Sequence, residues 1–388
     1  MPFRSVSAQQ ALDTALAEID RLGLAAHATV LGQTRCVTLV RDGQPVATGA
    51  GKGAGAQGAA SAHFEALERY LMSAPDNRRR TPDATRLSSA ADVAEQPALE
   101  HDLVIQRWAA EYPDSVAACA SYSGVRYPTF LADPRYHRRP APGDDVRPYR
   151  GLLRYSSSLG TAAGVDLAEA VYHGLCELVE HDALSQALLR WYVAGVPDVD
   201  VVPAEDLPGA LRVLHDQAAQ AAGAPVHLLD VTTDLDIPVY LAVTSAGRLG
   251  AGASCWATDA ASRALAELLQ TCALPPPARH HQLAAWPALR RCAAMPLDEL
   301  AFRAVPLRTD PTGDGSPEWG RARVRQALLR HGVDHHVCEV APVDSLIAVA
   351  TTIAPGLERF SLVRHGVPVV PTGRGERLWP STLTRRGS

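Results

Sequence analysis

The sequence predicts an α/β protein of the α+β kind. Three observations carry this: segments with helical hydrophobic period, short strand-like apolar runs, and Gly- or Pro-rich breaks between them. Residues 6–22 alternate Ala, Leu and Ile with Asp, Glu and Arg at helical spacing, and Gly23 ends that helix. Cys36–Val40 and Pro45–Thr48 flank an Asp42-Gly43 turn and read as a hairpin. Gly49, Gly51, Gly53, Gly55 and Gly58 follow, with Lys52 among them, and feed a helix over Ser61–Met72. Free backbone amides, a helix N-terminus and a lysine make such a stretch an anion site. It is not a Walker loop, because Gly53 stands where Ser or Thr is required after the lysine. A plain flexible connector suits the same composition.

Residues 74–148 change character, being rich in Pro, Arg, Asp and Ser. They read as a loop-rich insertion, peripheral within one domain spanning residues 1–388, with a short strand near Val116–Tyr122. Tyr149–Ser157 reads as extended and Gly160–Gly164 as a small-residue turn, after which Asp166 caps a helix. His227–Val231 and Ile237–Val243 read as buried strands. Leu249–Ala253 leads into a third helix, which Asp259 would cap and Pro275-Pro276-Pro277 would stop. A helix over 318–331, a strand over Val333–Val340 and an apolar run at Ile347–Ile353 complete the order.

Three of these helices carry a narrow polar line. In Ala168–Leu184 the polar residues Glu169, His173, Glu177 and Glu180 fall on one stripe of an otherwise apolar cylinder, with His181 and Asp182 at its end. Such a helix is buried, and its stripe faces a polar cavity. Buried carboxylates need a positive partner, so a cation belongs there. Ser61, Glu65 and Glu68, with Arg69 beside them, repeat the pattern, as do Arg263, Glu267 and Gln270. Oxygen-only clusters suit Mg2+ held together with phosphate oxygens. Any one helix alone reads better as an ordinary amphipathic helix with a solvated face; three together shift the balance to a site.

Bulk composition excludes other classes. Hydrophobic content of 47% with 20% charged residues is that of a globular protein with a large core, and aromatics at 5% leave its packing to Ala, Leu and Val. A net charge of −5 provides no basic field for nucleic acid. The basic runs Arg78-Arg79-Arg80 and Arg385-Arg386 read as solvated loop and tail. Seven cysteines, none in a Cys-Xaa-Xaa-Cys pair, argue against a disulfide framework or a structural zinc site, and fit a reducing cytoplasm. The pairs His280-His281 and His335-His336 lack a third ligand at metal spacing. The N-terminus shows no signal-peptide core, and no run of about 18 apolar residues predicts a membrane span.

Together the motifs resemble the YcaO family. GKGAGAQGAASAHFEALERY resembles its Ser-Xaa3-Glu-Xaa2-Glu-Arg segment, GTAAGVDLAEAVYHGLCELVEHDAL its second nucleotide-binding segment, and RALAELLQ its downstream Arg-Xaa3-Glu helix. Pro355-Gly356-Leu357-Glu358 is similar to its late Pro-Gly-Leu-Glu stretch. The resemblance spans roughly residues 20 to 375. It implies a YcaO-type fold, with mixed β-sheets packed with helices around a central nucleotide site, and ATP and Mg2+ as cofactors. The implied activity is phosphorylation of a peptide backbone amide oxygen followed by nucleophile addition. Carried over by position, Ser61, Arg69 and Arg263 contact nucleotide, with Lys52, Glu169 and His181 as further nucleotide-side positions. Glu65, Glu68, Glu177, Glu180 and Glu267 ligate Mg2+ or orient its waters. No catalytic side chain is assigned. Ala162, Val165 and His181 depart from the family's Ser, Asn and Arg; Val165 removes a side-chain amide and His181 a permanent charge. The resemblance further implies a precursor-peptide substrate, a homodimer, and a separate partner that delivers peptide or sulfur. That partner is expected because neither a Pro-Xaa-Pro-Xaa-Pro tail nor a fused delivery domain is present. A nucleotide-binding accessory protein without chemistry of its own, and an amino-acid ligase of the ATP-grasp kind, are the competing readings.

Overall fold

Ser7 starts the first helix, α1 (Ala8–Arg21): its side chain accepts the Gln10 amide while Gln10 reaches back to the Ser7 amide. In this computed structural model, residues 3–32, 34–53, 55–73, 85–274 and 283–379 are described. The runs Arg78–Arg80, Pro275–Pro277, His280-His281 and Arg385-Arg386 lie outside them.

Strands β1 (Ala25–Leu31), β2 (Thr34–Arg41) and β3 (Gln44–Gly51) form an antiparallel sheet. Asp42 and Gly43, both at positive φ, make the hairpin turn the sequence predicts. Helix α2 (Gly55–Ser73) begins earlier than the expected Ser61, and Gly49 and Gly51 lie in β3 rather than in a loop. Their role is close approach. A Cβ on Gly51 would collide with the Gly58 carbonyl, and one on Gly49 with Ala62 and Ala66 backbone, so α2 presses directly on the strand.

Residues 85–148 also depart from the loop-rich, peripheral expectation. Strands β4 (Thr85–Ser89), β5 (Val116–Tyr122) and β6 (Val125–Pro128) pair into a sheet, accompanied by helices α3 (Ala90–Ala94), α4 (Leu103–Glu111) and α5 (Thr129–Ala132). Trp108, Tyr127 and Phe130 from this region are fully buried in the largest core, together with Tyr172 and Phe360. Each such aromatic contributes about 2–3 kcal/mol through area removed from water.

Helix α6 (Tyr149–Leu152) and a 3-10 turn at Leu153–Tyr155 replace the expected extended segment. Thr161–Gly164 is strand β7, not a turn, because it pairs with a strand near the end of the chain. Asp166 caps α7 (Leu167–Tyr192), accepting the Glu169 amide as predicted. Beyond it come β8 (Asp198–Val202), α8 (Gly209–Ala222), β9 (Val226–Asp230), β10 (Val239–Thr244) and β11 (Leu249–Ala253). Helix α9 (Ala257–Ala273) follows, then α10 (Pro287–Ala294), β12 (Ala301–Ala304), α11 (Pro317–Leu329), β13 (His336–Glu339) and β14 (Ala348–Ile353). Asp259 lies in the first turn of α9 and binds Arg263 instead of capping.

The sheet order is β11-β10-β9-β8-β12 in the five-stranded sheet and β13-β14-β7 in the third small one. β11 repeats the device of β3: a Cβ on Gly250 or Gly252 would strike the backbone of α9. A glycine-bearing strand thus holds α2 close on one side and α9 close on the other.

Candidate active site

The polar lines of α2, α7 and α9 open into one cleft of about 530 Å³. Lys52, Ser61, Glu65, Glu68, Glu169, Glu177, Glu180, His181, Arg263 and Glu267 all line it. Arg69 does not. It turns back along its own helix to Glu65, four residues earlier, and donates to the Thr48 carbonyl at 2.8 Å. The sequence spacing placed Arg69 beside the line, and helix geometry takes it off the cleft face.

Backbone contacts stitch the cleft together. Glu65 accepts the Ala50 amide at 2.7 Å, the Lys52 amide meets Ser61 Oγ at 3.2 Å, and Gln270 donates to the Ala50 carbonyl at 2.6 Å. The Lys52 ammonium is paired with Glu267, so the end of β3 is tied to α9. Burial alone would lower the pKa of this lysine, but Glu267 and then Glu180 raise it.

The carboxylates divide by environment. Burial raises Glu68 well above the ordinary range, with Glu177 and Glu65 adding repulsion. Burial likewise pushes Glu177 up to about 7, against the Gly160 amide it accepts at 2.9 Å and the charge of Lys52. Glu180 is pushed up to about 8 by burial and then by Glu267. Glu169 goes the other way: burial opposes its charge, but His173 and Arg4 hold it down at about 2. Burial keeps both histidines neutral, at about 3, helped by Arg4 for His173 and by His365 and Lys52 for His181. His181 Nδ1 lies 2.9 Å from Ser361 Oγ.

Burial thus favours the protonated form of Glu68, Glu177 and Glu180 in this cleft. That donor set fits Mg2+, which takes hard oxygen ligands. Among the described residues no three His, Cys, Asp or Glu side chains gather closely enough to hold a metal by themselves. Glu65 and Glu267, expected as ligands, are each already engaged by a cation. The fit is thus to Mg2+ that arrives with phosphate oxygens and keeps water, not to a closed protein cage.

Sequence reasoning missed Arg4, Val6, Ala8 and Ala11, which line the cleft from the start of the chain, and Leu214 from α8. Small apolar residues on an ordinary amphipathic helix give no signal. Phe3 anchors this segment, fully buried among Tyr172, Trp256 and Trp319. No described helix is long and apolar enough to cross a membrane.

Three helices of an α+β fold thus present acids and bases to one shared cleft, and no Walker loop borders it. A family model described as YcaO cyclodehydratase, ATP- and Mg2+-binding, matches residues 50–358, most of the chain, and the chain belongs to the YcaO family. It is an enzyme of YcaO type, with ATP and Mg2+ as its cofactors. The structure of YcaO from Methanopyrus kandleri bound with AMPPCP and Mg2+ is similar with a TM-score of 0.65 at 19% identity, covering 95% of this chain and 96% of that one. A heterocyclase in complex with substrate and cofactor gives a TM-score of 0.64 at 18% identity over 92% of this chain; the chain spans 53% of that protein's length. At such identities these two likenesses bear on the fold. An uncharacterized protein in the tfuA 3' region of Rhizobium leguminosarum bv. trifolii is 41% identical over 93 residues, 24% of this chain and 22% of that protein.

Proposed function

We propose that this chain uses ATP to activate a backbone amide of a ribosomally made precursor peptide. Bound ATP would supply the phosphoryl group that turns the amide oxygen into a leaving group. A nucleophile then adds to the amide carbon, loses its proton, and phosphate departs as the carbon–oxygen bond breaks. A Cys, Ser or Thr side chain as nucleophile gives an azoline, sulfide gives a thioamide, and an amine gives an amidine. The observation that carries the reading is the gathering of Glu68, Glu177 and Glu180 in one cleft with Lys52 and Arg263. Glu68, Glu177 and Glu180 would hold Mg2+, with Glu65 and Glu267 orienting its waters. Lys52, Ser61 and Arg263 would meet the phosphates and offset their charge. Positioning and charge compensation are the main demands of phosphoryl transfer, and these residues meet both.

A homodimer and a separate peptide- or sulfur-delivering partner complete the proposal. The test is phosphate release from Mg-ATP by the purified chain, with and without the peptides and partner proteins encoded beside its gene. Release that needs the peptide supports the reading.

One observation favours a second reading, a nucleotide-binding accessory protein. His181 stands where the family carries a permanently charged arginine, and burial keeps it neutral. Tight Mg-ATP binding with no turnover in any combination would select this reading over the first.

A further inference from the structure

His173 occupies the middle of the polar line on α7 and belongs neither to the carboxylate group nor to the Lys52 side of the cleft. Its Nδ1 lies 3.4 Å from Arg263 Nη2. A guanidinium nitrogen only donates, so Nδ1 is the acceptor and the ring proton sits on Nε2. Nε2 is buried with no hydrogen-bond partner among the described residues, and Glu169 Oε1 stands 3.6 Å away. Glu169 is held from the other side by Arg4 and by the Ser5 amide. Arg263 in turn donates through Nε to Asp259 Oδ2 at 2.8 Å. The groups form one chain, Arg4–Glu169–His173–Arg263–Asp259, running from the start of the polypeptide across α7 to α9.

We infer that His173 is the positioning residue of the nucleotide site, fixing the Arg263 guanidinium as the neutral Nε2–H tautomer. This rests on the reading of the cleft as a nucleotide site. With Nε held by Asp259 and Nη2 by His173, the guanidinium plane has two anchors on different helices. A long side chain otherwise free to rotate is ordered before ligand arrives, and affinity is gained by ordering in advance. The arrangement also explains why a histidine stands on a line of acids: it is the one side chain there that accepts from Arg263 on one edge and donates toward Glu169 on the other.

The experiment is calorimetric titration of the full chain with Mg-AMPPCP, across a double-mutant cycle with His173→Phe and Arg263→Lys, plus His173→Asn. His173→Phe keeps the ring volume and removes both nitrogens; affinity falls about fivefold to tenfold, the range of one buried hydrogen bond. His173→Asn returns an acceptor near the Nδ1 position and recovers affinity to within about threefold of wild type. In the Arg263→Lys background, His173→Phe costs less than about twofold more, because its partner is already lost. Nitrogen-15 spectra of histidine-labelled, ligand-free protein show the His173 proton on Nε2. A proton on Nδ1, full additivity in the cycle, or an Asn variant as weak as Phe would each overturn the inference. Wild-type protein that fails to bind Mg-AMPPCP would instead remove the nucleotide reading beneath it.

Discussion

Glu358 and Glu180 are both glutamates withdrawn from bulk water, and their surroundings treat them oppositely. Glu358 is 1% exposed and accepts the amides of Arg359, Phe360, Thr372, Gly373 and Gly375. Its own amide donates to buried Asp182 on α7 at 2.9 Å. Burial still raises its pKa, against the pull of those amides. Glu180 meets mostly burial and the charge of Glu267, and is pushed up to about 8. A carboxylate surrounded by amides fastens one stretch of chain to another. A carboxylate buried beside other carboxylates favours its protonated form, whose proton a cation can replace. The first kind builds the fold and the second kind builds the site.

The largest effect expected from this contrast is on stability. Glu358→Ala leaves several buried amides without an acceptor and lowers the unfolding free energy by about 3–5 kcal/mol, read from denaturant unfolding curves. A loss under about 1 kcal/mol would mean that water replaces the carboxylate at little cost.

Next comes nucleotide affinity. Glu177→Ala removes a proposed metal ligand and little packing, so Mg-AMPPCP affinity falls at least about hundredfold, since even groups behind a metal ligand are worth 10- to 100-fold. The circular dichroism spectrum stays that of wild type. Unchanged affinity would count against Glu177 as a ligand.

The third prediction concerns pH. Glu177 and Glu180 have folded pKa values of about 7 and about 8, above those of an unfolded chain. Between the unfolded and folded values the native state holds more protons, so stability falls as pH rises through that window. In EDTA, the melting temperature of wild type therefore drops from about pH 5 to pH 8 through this pair. Glu180→Gln flattens the drop and melts higher than wild type at pH 8, while losing Mg-AMPPCP binding. A variant that melts lower at pH 8 would show that Glu180 makes a stabilising contact.

The smallest effect belongs to Arg69. Because it pairs with Glu65 at the surface, Arg69→Ala costs about 0.3–0.5 kcal/mol of stability. Its effect on Mg-AMPPCP affinity stays below that of Glu65→Ala. The reverse order would put Arg69 in contact with nucleotide.

The residues that line the cleft were largely legible before the fold was. Each polar line is a local pattern, because side chains three and four apart on a helix share a face wherever that helix ends up. Ser61, Glu65, Glu68, Glu177, Glu180, Arg263 and Glu267 could therefore be picked out, and the cleft gathers all of them. Glycines misled the reading. Gly49, Gly51 and Gly160–Gly164 look like loops by composition, yet they sit in or beside strands, where the missing Cβ lets a helix backbone approach. The same weakness hid the sheet of β4, β5 and β6, whose outer strands read as loop without their partners.

Sequence alone determined which helices carry charge on one face and where α7 is capped. Those facts depend on neighbours within a few residues along the chain. Tertiary structure alone decided that Lys52 meets Glu267, that Arg4 reaches Glu169, and that Glu180 is buried beside Glu267 while Glu358 is surrounded by amides. Strand pairing, burial and charge proximity join residues far apart in the chain, and no local pattern encodes which of them will meet.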